Sequence, residues 1–498
     1  MTIRPTLMAC ATVATFLVSP ASALTAPELW DDWRNSLGLL GQEVEIANQS
    51  YDSGVLRLEG ITQRMPIDPE VGRNITFIDA LVLTEQSDGS VRIEIDGEYR
   101  VDFGGVSGGD RSDGSLSISF DGLDSNARGA PGDLSYDFGA GLVEVALDTL
   151  SVNGEPVPVE FSLAATGLSS TSTQTDSVYA GGGQVDALAL VVNASDPNTG
   201  VLEMNYRLTQ LEFQGSANYA DFAALGANDP SAIFRAETPT ALTTTHGPMS
   251  FHIVTDSPQG AGAVSGQATS GSLESEFGRG RALYGAGVAG LILEIVSSDA
   301  PFPIDLQADQ LGFRVDAPML AAADPQPFAA ALAISGLALP DALWSMVDPT
   351  GLLARDPAEL SLQLAGLARL DRDLSDPDFA AAGTPPGALL ALKLDRLSLA
   401  IAGAAAQASG DFNINPDAPP MLDGVPAASG QLELELRGVG GLLQNLASLG
   451  AIDPANLMGA QMMLGMITAP AADGSDVMTS TIQLGEDGSV TANGTRLR

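Results

Sequence analysis

The feature that most constrains the fold is an unbroken alternation of side chains between residues 91 and 103. From Val91 to Phe103 every odd position is apolar or glycine, and every even position is charged. A β-strand points successive side chains to opposite faces, so this segment has one apolar and one charged face. A helix would scatter the same residues around its circumference, and the pattern therefore predicts a strand.

Shorter versions of this alternation recur along most of the chain and predict further strands. They include 56–58, 116–120, 143–147, 157–163, 202–208, 249–254, 283–295, 360–364, 389–401 and 432–436. Hairpin dipeptides separate several of them, at Asp88-Gly89, Asp113-Gly114, Asp121-Gly122 and Asn153-Gly154. The prediction is a mainly β protein of extended antiparallel sheets, which could be curved and groove-forming.

Helices are predicted at both ends of the mature chain. Thr25 to Glu28 has the form of a capping box, and apolar residues then recur at helical spacing until Gly41. Near the C-terminus, 439–449 and a second segment capped by Asp453 predict a helical pair, followed by a closing hairpin at 478–492. The methionines between 458 and 466 predict a core helix, with an adaptable lipid- or partner-facing surface as the alternative.

The chain divides into four predicted regions. Residues 1–23 are typical of a signal peptide, with an apolar run from Leu7 to Val18 and cleavage after Ala23. A β-rich half follows at 24–230, with a Ser/Thr-rich loop at 169–175. A polar, turn-rich boundary at 231–248 separates it from a second β-rich half at 249–438. The helical pair and hairpin fill 439–498.

Composition excludes several function classes. The formal net charge is −40, with 62 acidic against 22 basic residues, and this field repels nucleic acid. Cys10, the sole cysteine, lies in the predicted signal segment, so thiolate metal sites are not expected in the mature chain. No transmembrane helix is expected after signal cleavage. We also expect no cofactor, since Schiff-base chemistry would depend on Lys393, the only lysine.

Three patterns could carry chemistry, and each has a simpler explanation. Gly105 to Gly109 matches the G-x-S-x-G nucleophile motif, but a glycine-rich loop follows where the motif needs a helix. The two histidines, His246 and His252, lack a third metal ligand nearby. The aspartates between 110 and 124 are typical of turns. The sequence therefore predicts neither catalytic nor metal-binding residues.

The apolar face is the remaining candidate site. Its strongest segment predicts that Val91, Ile93, Ile95, Tyr99, Val101 and Phe103 line a hydrophobic ligand. Two sheets closing on this face would make an ordinary sandwich core. A single curved sheet would instead leave it open as a groove, and the alternation is the same in both cases.

Three stretches resemble a family of exported alphaproteobacterial proteins, domain of unknown function family 2125. They are Glu28-Leu29-Trp30 to Trp33; Leu339 to Trp344 continuing through Asp348-Pro349 to Ala358; and Leu449-Gly450 through Ala460 to Gly465 and on to Gly494. The resemblance brackets the mature chain but transfers no site residues. The tail is also similar to AsmA-like exported families, which implies lipid handling at the cell envelope.

Together these patterns predict a non-enzymatic periplasmic protein that binds a lipid-like ligand or an envelope partner on its apolar sheet face. A carboxylate-based hydrolase and a purely structural envelope protein are the alternatives.

Overall fold

The computed structural model describes residues 23–65, 72–175, 178–196, 200–218, 231–376, 384–419, 426–472 and 474–497. Almost all of the predicted signal peptide therefore lies outside the described residues. The helices are α1 Ala26–Leu39, α2 Ala232–Arg235, α3 Asp341–Val347, α4 Val439–Ser448 and α5 Pro454–Ile467.

The described strands belong to one sheet, which confirms the mainly antiparallel β prediction. They are β1 Glu43–Asp52, β2 Val55–Arg64, β3 Gly72–Glu85, β4 Val91–Ser107, β5 Asp110–Asp121, β6 Asp124–Ala130, β7 Asp133–Val152, β8 Glu155–Pro156, β9 Val159–Thr175, β10 Val178–Asp196, β11 Gly200–Asn218, β12 Thr240–His246, β13 Met249–Ser257, β14 Gly260–Ala268, β15 Ser270–Gly278, β16 Arg281–Ser297, β17 Ile304–Pro318, β18 Gln326–Leu337, β19 Ala358–Leu370, β20 Gly387–Ile401, β21 Ala404–Asn415, β22 Ala427–Arg437, β23 Ala469–Pro470, β24 Val477–Leu484, β25 Val490–Ala492 and β26 Thr495–Arg496.

The sheet is built as a long meander in which each strand pairs mostly with its neighbours in sequence. Where two short strands lie end to end, a long strand spans both. β4 and β7 each pair with β5 and β6, and β11 pairs with both β12 and β13. The sheet therefore continues through the polar boundary predicted at 231–248.

A line of irregular residues, here called the crease row, crosses the sheet from β2 to β18. Regular pairing is interrupted where Gly60 faces Asp79, where Gly167 faces Asp186, and again in later strands. The backbone is left-handed at six of these positions: Gly60, Gly97, Gly167, Gln210, Gly290 and Gly336. Such residues bend a strand and change the direction of its side chains.

The crease row reverses the alternation of the strands that cross it. In β9, Leu163 and Ala165 lie on the same side as Leu168 and Gln174, although the first two are odd and the last two even. Successive inner-side residues of β9 are thus three positions apart in sequence at the crease, from Ala165 to Leu168, and two positions apart on either side of it. We call the parts of the sheet on either side of the crease row arm I, which contains Leu163, and arm II, which contains Gln174.

Both arms present apolar side chains to the same side, the inner face, on which α1 packs. Gln174 of arm II donates a hydrogen bond to Asp32 of α1, at 3.3 Å. Across the crease, Phe120 of arm I lies 6.5 Å from Phe138 of arm II, measured between ring centroids. Reversal of the alternation therefore joins two apolar surfaces into one.

Helix α1 seals one end of the inner face. Thr25 caps the helix, and the predicted capping box with Glu28 is present. Its Leu29 and Trp30 pack into a buried cluster, and Trp33 donates to the Tyr136 hydroxyl at 2.9 Å. The other members of the cluster are Leu24, Ala26, Leu56, Leu58, Ile61, Leu81, Leu83, Val91, Ile93, Ala127 and Leu134. The largest buried core of the described residues is therefore at this end.

Truncation in this cluster tests its contribution to stability. Leu83 is fully buried, so we expect Leu83→Ala to lower the free energy of unfolding by about 2–5 kcal/mol. Leu332 of arm II is 37% exposed, and Leu332→Ala is expected to cost well under half as much. Urea denaturation followed by circular dichroism measures both, and equal losses would contradict a core confined to the sealed end.

The opposite end of the sheet carries α3, α4 and α5, and of these α4 and α5 are at the positions predicted from sequence. Asp348, directly after α3, is fully buried, and its carboxylate accepts the Leu353 N–H at 2.7 Å and the Thr350 hydroxyl at 3.1 Å. Desolvation alone would raise the pKa of this carboxyl. The hydrogen bonds from Leu353, Leu352, Thr350 and Gly351 outweigh it and hold the pKa below 3.8.

A carboxyl with a lowered folded-state pKa stabilises the fold at pH values above its ordinary pKa. That contribution is lost as the pH falls through the lowered folded-state value, so it disappears below about pH 4. We expect Asp348→Asn to lower the melting temperature at pH 7. The variant should also lose less stability than the wild type when the pH falls below about 4. Asp341→Asn is the control, since Asp341 is 86% exposed. Parallel pH profiles for Asp348→Asn and the wild type would contradict the assignment.

Three sequence predictions are wrong in detail. Residues 169–175, predicted as a loop, belong to β9, and 240–246 form β12 between β11 and β15. In both, hydroxyl side chains occupy the exposed positions of a strand whose backbone is paired on both sides. Asp113-Gly114, predicted to turn, lies inside β5, where Gly114 leaves room for the Phe103 ring.

Candidate functional site

A continuous row of directly paired residues crosses the inner face of arm I. It connects β1 to β17, and each member pairs with the next across adjacent strands. The row is Ile46, Ile61, Ile78, Tyr99, Ile118, Val145, Leu163, Leu190, Tyr206, Phe251, Gly266, Leu293 and Leu306. Charged side chains such as Glu203, Arg207 and Glu294 lie on the outer face of the same strands.

A second row crosses the inner face of arm II and extends further along the sheet. Its later members are mostly leucine and phenylalanine. From β15 onward they are Leu273, Ala286, Phe313, Leu332, Leu362, Leu397, Ala408, Leu434 and Ser480. The ring of Tyr284 lies tilted against that of Phe313, a member of this row, with ring centroids 5.7 Å apart, and both residues remain more than 40% exposed.

The inner face is open away from α1. Leu163, Leu190, Tyr206 and Leu293 are only half-buried, whereas the residues under α1 are fully buried. The two rows therefore form a partly exposed apolar surface on one face of a single sheet, here called the inner groove, and are not the sealed interior of a two-sheet sandwich.

The six residues predicted to line a ligand site fall in two environments. Val91 and Ile93 belong to the buried cluster under α1, and Ile95 packs against it. Tyr99, Val101 and Phe103 lie beyond the bulge at Gly97 and face the inner groove on arm I. Val91 and Ile93 are buried in the cluster under α1, whereas Ile95, Tyr99, Val101 and Phe103 are half-buried, and the ligand-lining role of these residues stays a prediction.

The tyrosine hydroxyls of arm I report an apolar environment. Burial raises the pKa of both Tyr99 and Tyr206 above 10.0, since the phenolate form is poorly solvated there. Tyr206 donates to the sulfur of Met249 at 3.6 Å, an interaction with another inner-face side chain. These two hydroxyls are the polar side-chain groups of the arm I row, whose other members are apolar residues and one glycine.

A polar concavity lies on the opposite, outer face of arm II. It encloses about 1320 Å³ over the strands from β6 to β12, and its margins are outer-face residues such as Asp124, Asn126 and Thr243. Gly182 and hydroxyl side chains such as that of Thr171 form its floor. The Ser/Thr-rich segment at 169–175 therefore contributes side chains to this polar trough.

The candidate chemical motifs are separated by the fold. Ser107 ends β4 in a hairpin with Asp110, so no helix follows it as a nucleophile elbow requires. His246 lies on the inner face beside Gly271, while His252 lies on the outer face between Asn205 and Ser265. Among the described residues, no group of three or more His, Cys, Asp or Glu is placed to hold a metal ion.

Comparison of the chain with protein-family models, curated proteins and solved structures gives no match. The resemblance to domain of unknown function family 2125 therefore stays a prediction. Within the described residues, no helix combines the length and the apolar character needed to cross a bilayer.

Proposed function

We propose that this protein is a non-enzymatic periplasmic protein that holds the acyl chains of a lipid-like molecule in the inner groove. The observation that carries the proposal is the continuous, half-exposed aliphatic row of arm I. Export is supported by the signal-peptide pattern of residues 1–23.

The groove has the chemistry and the dimensions for an extended hydrocarbon. Adjacent strands are about 4.8 Å apart, so a chain lying across five strands contacts the row over roughly 20 Å. Each methylene removed from water contributes about 0.8 kcal/mol. The members of the arm I row from β5 to β17 are all uncharged, and a hydrocarbon lying on them displaces only water.

The distribution of charge restricts the headgroup. With a net charge of −40, the protein repels anionic headgroups at low ionic strength. The charged residues lie on the outer face and at the rim of the sheet, where a headgroup would remain in water. A neutral or zwitterionic lipid therefore suits this groove better than an anionic one.

The test is organic extraction of the protein purified from the periplasm, followed by mass spectrometry, with native mass spectrometry of the intact complex. We expect acyl-chain-containing molecules in stoichiometric amount. Ligand-free protein that also fails to bind a fluorescent acyl probe would support a structural role instead. Hydrolysis of the added lipid, dependent on Asp or Glu residues, would favour the carboxylate hydrolase.

A further inference from the structure

The C-terminal helix α5 is exposed, although its apolar composition is typical of a buried helix. Between Gly438 and Ala472 the only charged residue is Asp453, which caps α5 by accepting the N–H groups of Ala455 and Asn456. A helix that is apolar all round is normally buried. No residue of α5, which the structure describes throughout, is buried.

The large apolar side chains exposed on α5 are methionines, contrary to the prediction of a core helix. Leu457 and Leu464 turn toward the rest of the protein, while Met458, Met462, Met463 and Met466 are each 60–68% exposed. Unbranched methionine side chains adapt to an irregular apolar partner. Met462, Met463 and Met466 follow Met458 by four, five and eight positions, so the four side chains lie on one side of the helix and form a strip along it. We call this the methionine strip.

Other apolar residues are exposed at the same end of the protein. Asn445 of α4 donates to the Leu352 carbonyl at 2.9 Å, which ties the helical pair to the loop after α3. In α3, Met346 and Val347 are also more than 60% exposed. Ser480, the last member of the arm II row, donates to the Ile467 carbonyl at the end of α5. The strip thus adjoins the end of the inner groove.

We propose that the methionine strip of α5 docks the protein on the surface of a neutral or zwitterionic lipid bilayer. Charge argues for this occupant, because a chain of net charge −40 approaches a membrane most easily through its nearly uncharged segment. Unbranched apolar side chains on a helix without lysine or arginine match the acyl–headgroup boundary and need no anionic lipid. The proposal goes beyond ligand binding and holds whether or not the inner groove is loaded.

Flotation of the full-length mature protein with phosphatidylcholine vesicles tests the proposal. We expect the wild type to float, and the quadruple variant Met458→Ser, Met462→Ser, Met463→Ser, Met466→Ser to bind at least about tenfold more weakly. Replacing the same four residues by leucine should retain binding. Adding phosphatidylglycerol to the vesicles should weaken binding at low salt, because of the net charge.

Circular dichroism of each variant checks that the fold is intact. Leu293→Glu, which alters the inner groove far along the sheet, should float like the wild type even if it no longer binds acyl chains. A wild type that does not float, or a serine variant that floats equally well, would overturn the proposal. So would concentration-dependent dimers that the serine substitutions dissociate without any vesicle binding.

Discussion

Leu293→Glu is expected to weaken binding of a fluorescent acyl probe by at least about a hundredfold, while Ile292→Glu leaves it within about threefold of the wild type. Leu293 belongs to the arm I row and pairs with Gly266 and Leu306. A carboxylate there would have to lose its hydration, or ionise less readily, whenever a hydrocarbon covered it.

Ile292 is a matched control because it is adjacent, aliphatic and on the outer face, where it pairs with Gln267 and Gln307 and is 42% exposed. The two variants carry the same added charge on the same strand, so the field of the whole protein changes equally. Probe binding is measured by fluorescence titration. Equal loss in both variants, or in neither, would show that the probe does not bind in the inner groove.

Gly167→Ala and Gly336→Ala should each lower the free energy of unfolding by about 3 kcal/mol. Both glycines have left-handed backbones, at φ 63° and 62°, where an alanine costs about 1–2 kcal/mol. Each glycine also lies against an aspartate of a neighbouring strand, Gly167 against Asp186 and Gly336 against Asp309. A Cβ on either glycine would collide with that carboxylate. Overpacking adds a loss of similar size.

Gly488→Ala separates the cost of the left-handed backbone from the cost of overpacking. Its φ is 79°, but nothing lies within 4 Å of the position that a Cβ would take. We expect about 1 kcal/mol for it in the same urea denaturation experiment. If the crease variants lost no more than Gly488→Ala, the crease row would not be a tightly packed element of the fold.

The sequence allowed the β architecture and the terminal helices to be predicted, because alternation and capping are local. Thr25 and Asp453 both cap helices as expected, and Asp487-Gly488 turns the closing hairpin. The crease row was missed. In Leu208-Thr-Gln-Leu211 the three-residue step ends one alternating pattern and begins another, so a single strand looks like two.

Residues 147–152 and 394–399 share the pattern Leu-Asp-x-Leu-Ser followed by an apolar residue, and the structure gives this similarity a local explanation. Asp148 and Asp395 each occupy a β-bulge, the first between β5 and β7 and the second between β19 and β20. The shared Leu-Asp-x-Leu-Ser pattern therefore accompanies the same backbone irregularity. Such a recurrence does not need a duplicated domain, since a bulge selects similar residues wherever it occurs.

The sequence pattern could not predict which apolar residues are buried. The alternation of an inner-face strand is identical whether α1 covers it, as at Val91, or solvent does, as at Leu190. The methionines of α5 likewise have core-like composition at an exposed position. Both distinctions depend on which elements lie nearby in space, and the spacing of apolar residues along one strand or helix carries no record of that.

Cysteine reactivity measures the openness of the inner groove most directly. With Cys10, the only cysteine, replaced by serine, single cysteines at Leu190, Leu293 and Leu83 can be compared in protein stripped of bound lipid. We expect Leu190→Cys and Leu293→Cys to react with a maleimide within about tenfold of the outer-face Ile292→Cys, while Leu83→Cys stays protected until the protein unfolds. Protection of Leu190→Cys and Leu293→Cys equal to that of Leu83→Cys would mean that the two arms close into a sealed core, and would contradict the groove.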